Sequence, residues 1–480
     1  MDSIVKIAGE GAQSCVKMTK CLEGQFNKVF TLTLDNGKEF VAKIPNPNAG
    51  PEFYTIASEI ATRHFLREVL NIPIPHIYAS SSNSTNSIGT EYIIEEKAIG
   101  KPLGSIWYQW SEEEQMHIVQ QIVEMENKLA SIPFRKHGCI YYKKDLESKG
   151  LIVENLKADI VVVNDFSAKH GPLLEQLVIG PLTERRLWEE KRKEISLDRG
   201  PWNNPLEYIE AMGSNEIQWT KCYAQPRTNS MENPESPDEY LSLLERYLRL
   251  TPYLVPTSAK NSHLKTLSHP DLHLDNIFVD PVTKKITAII DWQSTAIKDI
   301  FLQCNTPPMF QLPEYAISAP IPDTESSLRK PLLAYEQLSR ISNPERWIAL
   351  HEDHLRIRTK PISMVIGAWE NNDLFSFRHS LIEVIAHWSD LVRAPIKCPI
   401  SFTEEELELH GSELELMEGL SHIMHQLQDV NMIPLGGMVP RTNYEQAKNW
   451  NRYFKEMFIN LGEGKEQRAL HAKVWPYQDL

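Results

Sequence analysis

The chain has 480 residues, of which 41% are hydrophobic and 24% are charged. This is the composition of a globular protein, and the length allows roughly two or three structural units. The formal charge of −14 argues against the basic surface that a nucleic-acid partner requires. No apolar run is long enough for a membrane-spanning helix. The six cysteines are scattered without a metal-like or paired spacing, which indicates reduced thiols.

The first hundred residues carry strand signals interrupted by one helix. Segments 26–34 and 39–44 are rich in β-branched and aromatic residues, and they flank an Asp-Asn-Gly sequence at 35–37 that is typical of a hairpin turn. A helix is predicted over about residues 54–70, and another strand over 91–95. We expect a small β-rich N-terminal lobe with one helix.

The rest of the chain is predicted to be mainly helical. Ser111 and Glu114 form a capping box ahead of apolar residues at helical spacing, and Ser236 with Glu239 begins a second such helix that runs to about Leu250. Further predicted helices cover 182–195, 346–358, 375–391 and 413–430. Irregular loops are predicted at about 224–235 and 307–322.

Residues 268–292 carry the pattern with the clearest chemistry. Asp271 is followed by Asn276 and then, after a predicted hairpin, by Asp291. Folding that hairpin about residues 283–284 brings Asn276 roughly opposite Asp291, so that an amide oxygen and a carboxylate converge as Mg²⁺ requires. Asp271 lies before the hairpin and can accept the proton of an attacking hydroxyl. The spacing is that of a kinase catalytic loop followed by a metal-binding aspartate.

Two other interpretations of this segment remain open. It is compatible with an ordinary β-hairpin with polar ends, because Asp and Asn are common turn residues. His269, His273 and Asp275 lie around Asp271 and offer ligands for a zinc or two-metal hydrolase, although no second His or Cys cluster supports such a site. His269 is better explained as a brace that holds the loop through a hydrogen bond.

In the N-terminal lobe, Lys43 lies at the end of the second predicted strand, within Val-Ala-Lys-Ile. A lysine on an apolar strand must reach either solvent or a partner. Its candidate partner is Glu59 in the following helix, with Glu68 as the alternative. Such a pair would orient the ammonium toward the phosphates of ATP. The competing explanation is an edge-strand lysine and a surface glutamate.

Two further segments are candidates for nucleotide contacts. In the segment 23–30, Gly24 would let the backbone approach the nucleotide, and Asn27 or Lys28 would face phosphate. The strand that leaves the lobe can offer main-chain groups from Glu95 to Lys97 to an adenine edge. No Walker A sequence is present, which disfavours a P-loop kinase.

Several blocks of residues occur in an order that matches a known family. They are GQFNKVF (24–30), DNGKEFVAKIPNPNAGP (35–51), SEIAT (58–62), IPIP (72–75), EYIIEEKAIG (91–100), HPDLHLDN (269–276) and IIDWQST (289–295). With these blocks, from about residue 22 to beyond Asp291, the chain resembles the fungal branch of the aminoglycoside phosphotransferase and choline kinase-like family. The resemblance implies an α+β, bilobal protein-kinase-like fold, with an N-terminal lobe over 1–97 and a larger, mainly helical C-terminal lobe over 98–480.

The resemblance also implies roles for individual residues. They are Lys43 and Glu59 on the phosphates of ATP, Asp271 as the catalytic base, and Asn276 and Asp291 on Mg²⁺. Two departures stand out: Gln25 replaces a second glycine, and Leu274-Asp275 replaces the Pro-Gly found in many small-molecule kinases. Neither departure removes a catalytic group.

The function implied is an ATP- and Mg²⁺-dependent phosphotransferase that acts on a hydroxyl group of an unidentified small molecule. The alternative is a kinase-like protein that binds nucleotide or a partner without phosphotransfer, in mitochondrial maintenance. The intact set of site residues favours the enzyme, because a binding-only protein has no need of Asp271. Acidic segments such as 404–406 are compatible with a cationic acceptor, although solvated acidic faces are common.

Location is open between two compartments. The family resemblance implies a mitochondrial protein. The first twenty residues lack both an apolar signal core and arginine, which favours the cytoplasm unless another segment precedes them.

Overall fold

The structure is a computed structural model, and it describes residues 14–21, 24, 26–160, 170–228, 234–256, 264–303, 305–311, 326–392, 395–429 and 444–475. The chain divides into two compact units. Unit 1 comprises Met1–Ala211 and Leu254–Leu355, and unit 2 comprises Met212–Tyr253 and Arg356–Leu480. All residues singled out above as site candidates belong to unit 1.

Unit 1 begins with a five-stranded antiparallel sheet in the order β1-β2-β3-β5-β4. Its strands are β1 (Cys15–Lys20), β2 (Asn27–Leu34), β3 (Glu39–Pro45), β4 (Ile77–Ser81) and β5 (Tyr92–Glu96). The predicted turn joins β2 to β3, and Gly37 there has a φ of 78°, a conformation that glycine adopts at little cost. Helix α1 (Tyr54–Glu68) lies between β3 and β4 in the sequence. The β-rich N-terminal region with one helix is therefore confirmed.

Short strand pairs continue through unit 1. They are β6 (Lys101–Pro102), β7 (Cys139–Tyr142), β8 (Leu177–Gly180), β11 (Lys265–Leu267), β12 (Ile277–Val279), β13 (Ile286–Ile289) and β14 (Ile297–Asp299). Strand β12 pairs with both β13 and β6, which ties the hairpin to the segment that leaves the N-terminal sheet. Gly100 permits this close approach, because a Cβ at that position would lie 2.4 Å from the carbonyl oxygen of Val279.

The helices account for most of the remaining chain. In unit 1 they include α2 (Glu112–Ala130), α3 (Lys143–Glu147), α4 (Leu156–Asp159), α7 (Ser326–Ser342) and α8 (Pro344–Leu350). In unit 2 or at its boundaries lie α5 (Pro205–Tyr223), α6 (Pro237–Leu254), α9 (Leu355–Met364), α10 (Leu374–Ala386), α11 (Trp388–Leu391), α12 (Glu404–Asp429), α13 (Tyr444–Asn460) and α14 (Lys465–Val474), together with the two-residue strands β9 (Arg227–Thr228) and β10 (Pro234–Glu235). Within the described part of the chain, no helix combines the length and apolarity needed to cross a membrane.

The apolar core of unit 1 includes residues of the hairpin. Phe65 of α1, Ile122 of α2 and Ile289 of β13 belong to one buried apolar cluster, together with Trp292 just after the hairpin. The Trp292 indole donates a hydrogen bond to the carbonyl of Ile289 at 3.0 Å. Burial of large side chains of this kind supplies most of the driving force for packing. The burial of Trp292 therefore stabilises the position of the end of the hairpin against the core.

Several predicted helices differ from the observed ones. The capping box at Ser111 is confirmed. The helix predicted over 182–195 is wrong, since this segment contains only the 3₁₀ turns Arg185–Leu187 and Glu190–Glu194. The prediction over 346–358 is interrupted after Leu350, and the one over 375–391 is interrupted at His387. Residues 229–233 and 312–322 of the two predicted loops lie outside the described residues.

Candidate active site

A cluster of four charged side chains lies between the N-terminal sheet and α1. Lys43 Nζ of β3 is 3.3 Å from Glu95 Oε1 of β5. Arg63 Nη1 of α1 is 2.5 Å from Glu95 Oε2 and 3.3 Å from Glu59 Oε1. All four side chains are buried. The formal charges of the cluster sum to zero, because two cations face two carboxylates.

The register of the sheet explains which carboxylate reaches Lys43. Strand β3 lies between β2 and β5, with Lys43 opposite Ile93 and Val41 opposite Glu95. Lys43 and Glu95 are therefore diagonal neighbours on one face, within reach of a long side chain. Lys43 is not on an edge strand, which removes the competing explanation for it.

The first partner of Lys43 therefore differs from the expected one. Glu59 forms its ion pair with Arg63, one helical turn further along α1, while Glu95, expected to contribute through its main chain, contacts Lys43 with its side chain. The alternative partner Glu68 lies at the surface beside Arg67. Glu59 still acts on Lys43 electrostatically, because its charge is among the causes that raise the pKa of the lysine.

Burial and the neighbouring opposite charges shift the pKa values of these groups in opposite directions. Burial lowers the pKa of Lys43, but Glu95 and Glu59 more than offset this, so the Lys43 pKa lies above its usual range. Burial raises the pKa of Glu95, but Arg63 and Lys43 outweigh it and hold the Glu95 pKa below its usual range. Burial dominates at Glu59 and raises its pKa. The ammonium of Lys43 is therefore kept charged inside the protein.

His269 connects the two segments that carry the remaining candidates. Its Nδ1 accepts a hydrogen bond from the Asp271 N–H at 3.1 Å, and its Nε2 lies 2.9 Å from the carbonyl of Ile290. Burial lowers the His269 pKa to about 4, so the ring is neutral at physiological pH with its proton on Nε2. The predicted brace is confirmed. Both ring nitrogens are occupied by main-chain groups, which leaves neither for zinc.

Asn276 is fixed by the same loop. The residue is buried, and its side-chain Nδ2 donates a hydrogen bond to the main-chain carbonyl of Asp271 at 2.9 Å. Its main-chain carbonyl accepts a hydrogen bond from the N–H of Ile290, also at 2.9 Å. With the amide nitrogen committed, the Asn276 side-chain oxygen is the atom that can bind a cation. An amide oxygen and a nearby carboxylate are donors that suit Mg²⁺.

The hairpin register is shifted by one residue from the predicted one. Ile277 pairs with Ile289, so Asn276 lies opposite Ile290, and Asp291 follows it. The turn is closed between Asp280 and Lys285, which displaces the pairing from the predicted one, and a bulge between Phe278 and Val279 reduces that displacement to one residue. Asp291 has a φ of 65°, the left-handed conformation that turns the chain immediately after β13. Its charge contributes to the raised pKa values of Lys43 and Glu59, so it belongs to the same electrostatic environment.

The Asp271 side chain is largely exposed. It is 65% exposed, and His273 Nε2 lies 3.7 Å from the carboxylate. His273 itself accepts a hydrogen bond on Nδ1 from the Asp275 N–H. An exposed carboxylate on a loop fixed by His269 and Asn276 can reach a bound hydroxyl compound.

Gln293 also contacts this site, and the sequence indicated it only as one residue of the block IIDWQST (289–295). Its side-chain oxygen accepts a hydrogen bond from Asn27 Nδ2 at 2.8 Å, and its Nε2 donates to the carbonyl of Ala49 at 2.6 Å. Gln293 thereby joins the loop after Asp291 to the start of β2 and to the turn after β3. The Asn27 side chain, expected to face phosphate, is used in this contact.

Two predicted nucleotide contacts lie further out. Lys97 Nζ pairs with Glu39 at 2.6 Å on the exposed face of the sheet. Gly24 is exposed, and a Cβ at that position would meet only Asn27 O at 3.8 Å. The surrounding protein alone therefore does not require a glycine at position 24.

Comparison with known proteins places these features in a family. Residues 17–302 match the model of a phosphotransferase enzyme family. A subtelomeric hrmA-associated cluster protein of Aspergillus fumigatus is 30% identical, with 97% of this chain and 97% of the relative aligned. Altered inheritance of mitochondria protein 9 of Candida tropicalis is 25% identical over 89% of this chain and 73% of its own length.

Among solved structures, that of aminoglycoside phosphotransferase APH(4)-Ia aligns with this chain. It is 13% identical, has a TM-score of 0.39 and covers 82% of this chain and 99% of its own. Several relatives are named as mitochondrial proteins, in agreement with the location that the resemblance predicts. The family match and the order of elements confirm the α+β, kinase-like fold class. This chain belongs to the phosphotransferase enzyme family that the matched model describes.

Proposed function

We propose that the protein is an ATP- and Mg²⁺-dependent phosphotransferase whose acceptor is a hydroxyl group of a small molecule. The observation that carries the proposal is the hydrogen bond from the Asn276 side chain to the carbonyl of Asp271. Asp291 follows on the same hairpin and supplies a carboxylate of the kind that binds Mg²⁺. The charge of Asp291 also acts on Lys43. Base, cation ligands and phosphate-binding lysine thus occur together in unit 1, which is the set that phosphoryl transfer needs.

Each group has a defined task in this proposal. The Lys43 ammonium binds the α- and β-phosphates, and the Glu59–Arg63–Glu95 cluster holds it in place. Asn276 and Asp291 would hold Mg²⁺, which would supply positive charge to the phosphates of ATP. Asp271 takes the proton of the acceptor hydroxyl while that oxygen bonds to the γ-phosphorus and the bond to the ADP oxygen breaks. Catalysis then consists of positioning and electrostatic stabilisation.

The proposal is tested first by nucleotide binding. With Mg·ATP at a hundredfold excess over its Kd, we expect stabilisation by about 2.7 kcal/mol, measured as a thermal shift. Asp291→Asn should abolish the dependence of the shift on Mg²⁺, because asparagine tolerates the left-handed backbone but lacks the charge. The matched control is Asp280→Asn at the opposite end of the same hairpin, where the carboxylate only caps the turn.

The catalytic role of Asp271 is tested separately. Asp271→Asn should bind Mg·ATP as the wild type does but transfer no labelled γ-phosphate to a metabolite extract. Transfer that continues at the wild-type rate would contradict its assignment as the base.

A second candidate function is binding of nucleotide or a partner without phosphotransfer, in mitochondrial maintenance. It is favoured by the names of the mitochondrial relatives. Tight Mg·ATP binding with no labelled product from any metabolite pool would support this second function over the first.

A further inference from the structure

A cavity of about 380 Å³ opens beside Asp271 within unit 1. Its lining includes the loop 268–272, the C-terminal half of α2, residues 302–303 and 305–308, Gln311, and Arg346 of α8. The volume is near the lower end of the range for small-molecule sites, which is roughly 300–1,000 Å³. The position beside the candidate base makes this cavity the place where an acceptor hydroxyl would lie.

Two buried charged groups in the cavity wall, Glu126 and Arg346, neutralise each other. Arg346 Nη2 donates to Glu126 Oε1 at 3.0 Å, and the Tyr335 hydroxyl donates to Glu126 Oε2 at 2.8 Å. Arg346 Nη2 also donates to the carbonyl of Asn305 at 2.7 Å. Burial raises the pKa of Glu126, while Arg346 and Tyr335 oppose that rise. Both Glu126 oxygens have partners, so neither this carboxylate nor Arg346 presents a spare charge to a ligand.

The other lining cation is also paired. Lys298 of β14 lies 3.6 Å from Glu184, and the charge of Glu184 raises the pKa of Lys298 against the opposing effect of burial. Among the described residues around the cavity, Asp271 is therefore the carboxylate that faces it without a lysine or arginine partner. The remaining polar lining consists of uncharged groups, including Ser294, Thr306 and Gln311.

This distribution of charge selects among acceptor classes. A polyamine such as an aminoglycoside would need several carboxylates, and the cavity offers one that is also the candidate base. An anionic acceptor would need an uncommitted cation, and both lining cations face carboxylates. Desolvating either kind of ligand without counter-charges is costly. Hydroxyls and amides, in contrast, can hydrogen-bond to an uncharged polyol at little cost.

We infer that the acceptor is a compact, uncharged polyhydroxyl compound of sugar or polyol size, and this inference rests on the proposed phosphotransferase function. The acidic total charge of the chain is compatible with a cationic acceptor, but the paired groups of the cavity favour a neutral one. The reaction remains the phosphoryl transfer of the proposed function, and the inference adds only the class of hydroxyl compound that accepts the phosphate.

The test uses the full chain with Mg·ATP and labelled γ-phosphate. The neutral probes are glycerol, sorbitol, glucose and myo-inositol, the cationic probe is gentamicin, and the anionic probes are glycerate and gluconate. We expect at least one neutral probe to be labelled about tenfold faster than any charged probe. Preferred labelling of gentamicin or of the anionic probes would overturn the inference. Binding of Mg·ATP without labelling of any neutral probe would overturn it as well.

The outcomes separate this inference from the proposed function. Loss of the Mg·ATP thermal shift in the wild type would count against the phosphotransferase itself. A normal Mg·ATP shift with efficient labelling of gentamicin would leave the phosphotransferase intact and remove only the neutral acceptor.

Two variants test the charge argument from the opposite direction. Arg346→Gln removes the cation that neutralises Glu126 and leaves Tyr335 as a partner of that carboxylate. Gln311→Glu adds a carboxylate at the exposed rim of the cavity. Each should improve labelling of gentamicin relative to the best neutral probe by about tenfold. Gln311→Glu is the milder variant, because its position is exposed and the hydrogen bond that it removes is the one from Gln311 Nε2 to the carbonyl of Thr306. An unchanged ratio in Gln311→Glu, with a normal Mg·ATP shift, would refute the role assigned to cavity charge.

Discussion

Glu95→Gln removes a carboxylate that contacts both cations of the buried cluster. The Glu95 carboxylate lies 3.3 Å from Lys43 and 2.5 Å from Arg63, and the residue is only 3% exposed. After the substitution, two buried cations share the carboxylate of Glu59, and one positive charge is left without compensation. Removing one partner of a buried ion pair costs about 3–5 kcal/mol. We expect the free energy of unfolding to fall by about that amount.

Urea unfolding of the wild type and Glu95→Gln measures this loss from the shift in midpoint, provided that the slope is unchanged. The matched control is Glu39→Gln on the neighbouring strand β3. Glu39 also pairs with a lysine, Lys97, at 2.6 Å, but both side chains are more than 40% exposed. Exposed pairs contribute little to stability, so this control should unfold like the wild type. Equal midpoints for the two variants would refute the reasoning.

Two further predictions concern the loop contacts. The pKa of His269 is about 4 in the folded protein, compared with about 6.5 for an unperturbed histidine. Between these two pH values the unfolded chain binds a proton that the folded protein does not. The free energy of unfolding should therefore fall by up to about 3 kcal/mol as the pH drops from about 6.5 to about 4. His269→Gln should flatten the pH dependence of the urea midpoint, and an unchanged slope would contradict the neutral ring. For the contact between Asn27 and Gln293, a double-mutant cycle of Asn27→Leu and Gln293→Leu should give a coupling energy of about 0.5–1.5 kcal/mol in unfolding; strictly additive effects would show that the contact contributes nothing.

Much of the site could be predicted because its residues lie within local patterns. The spacing of Asp271, Asn276 and Asp291 predicts a loop followed by a hairpin, and the observed strands β12 and β13 follow that prediction. The one-residue shift in register could not be foreseen. The shift is the net result of a turn closed between Asp280 and Lys285 and of the bulge between Phe278 and Val279, and the turn residues alone specify neither.

Contacts between distant segments were harder to predict from the sequence. The four-residue spacing of Glu59 and Arg63 is a helical ion-pair signal that was available in the sequence. The contact of Lys43 with Glu95, in contrast, depends on how β3 and β5 align in the sheet. Gln293 reaches Asn27 across 266 residues, and no local pattern encodes such a distance. Sequence patterns thus indicate which chemical groups are present, while tertiary alignment decides which of them touch.

This distinction changes the role of Glu59. It was expected to hold Lys43 directly, yet its ion pair is with Arg63, and Arg63 in turn contacts Glu95, which contacts Lys43. Glu59 therefore acts on the lysine through two intervening side chains and through its charge, which makes it a positioning residue. The carboxylate in direct contact with Lys43 comes from the sheet, so the orientation of the ammonium depends first on the pairing of β3 with β5 and only second on α1.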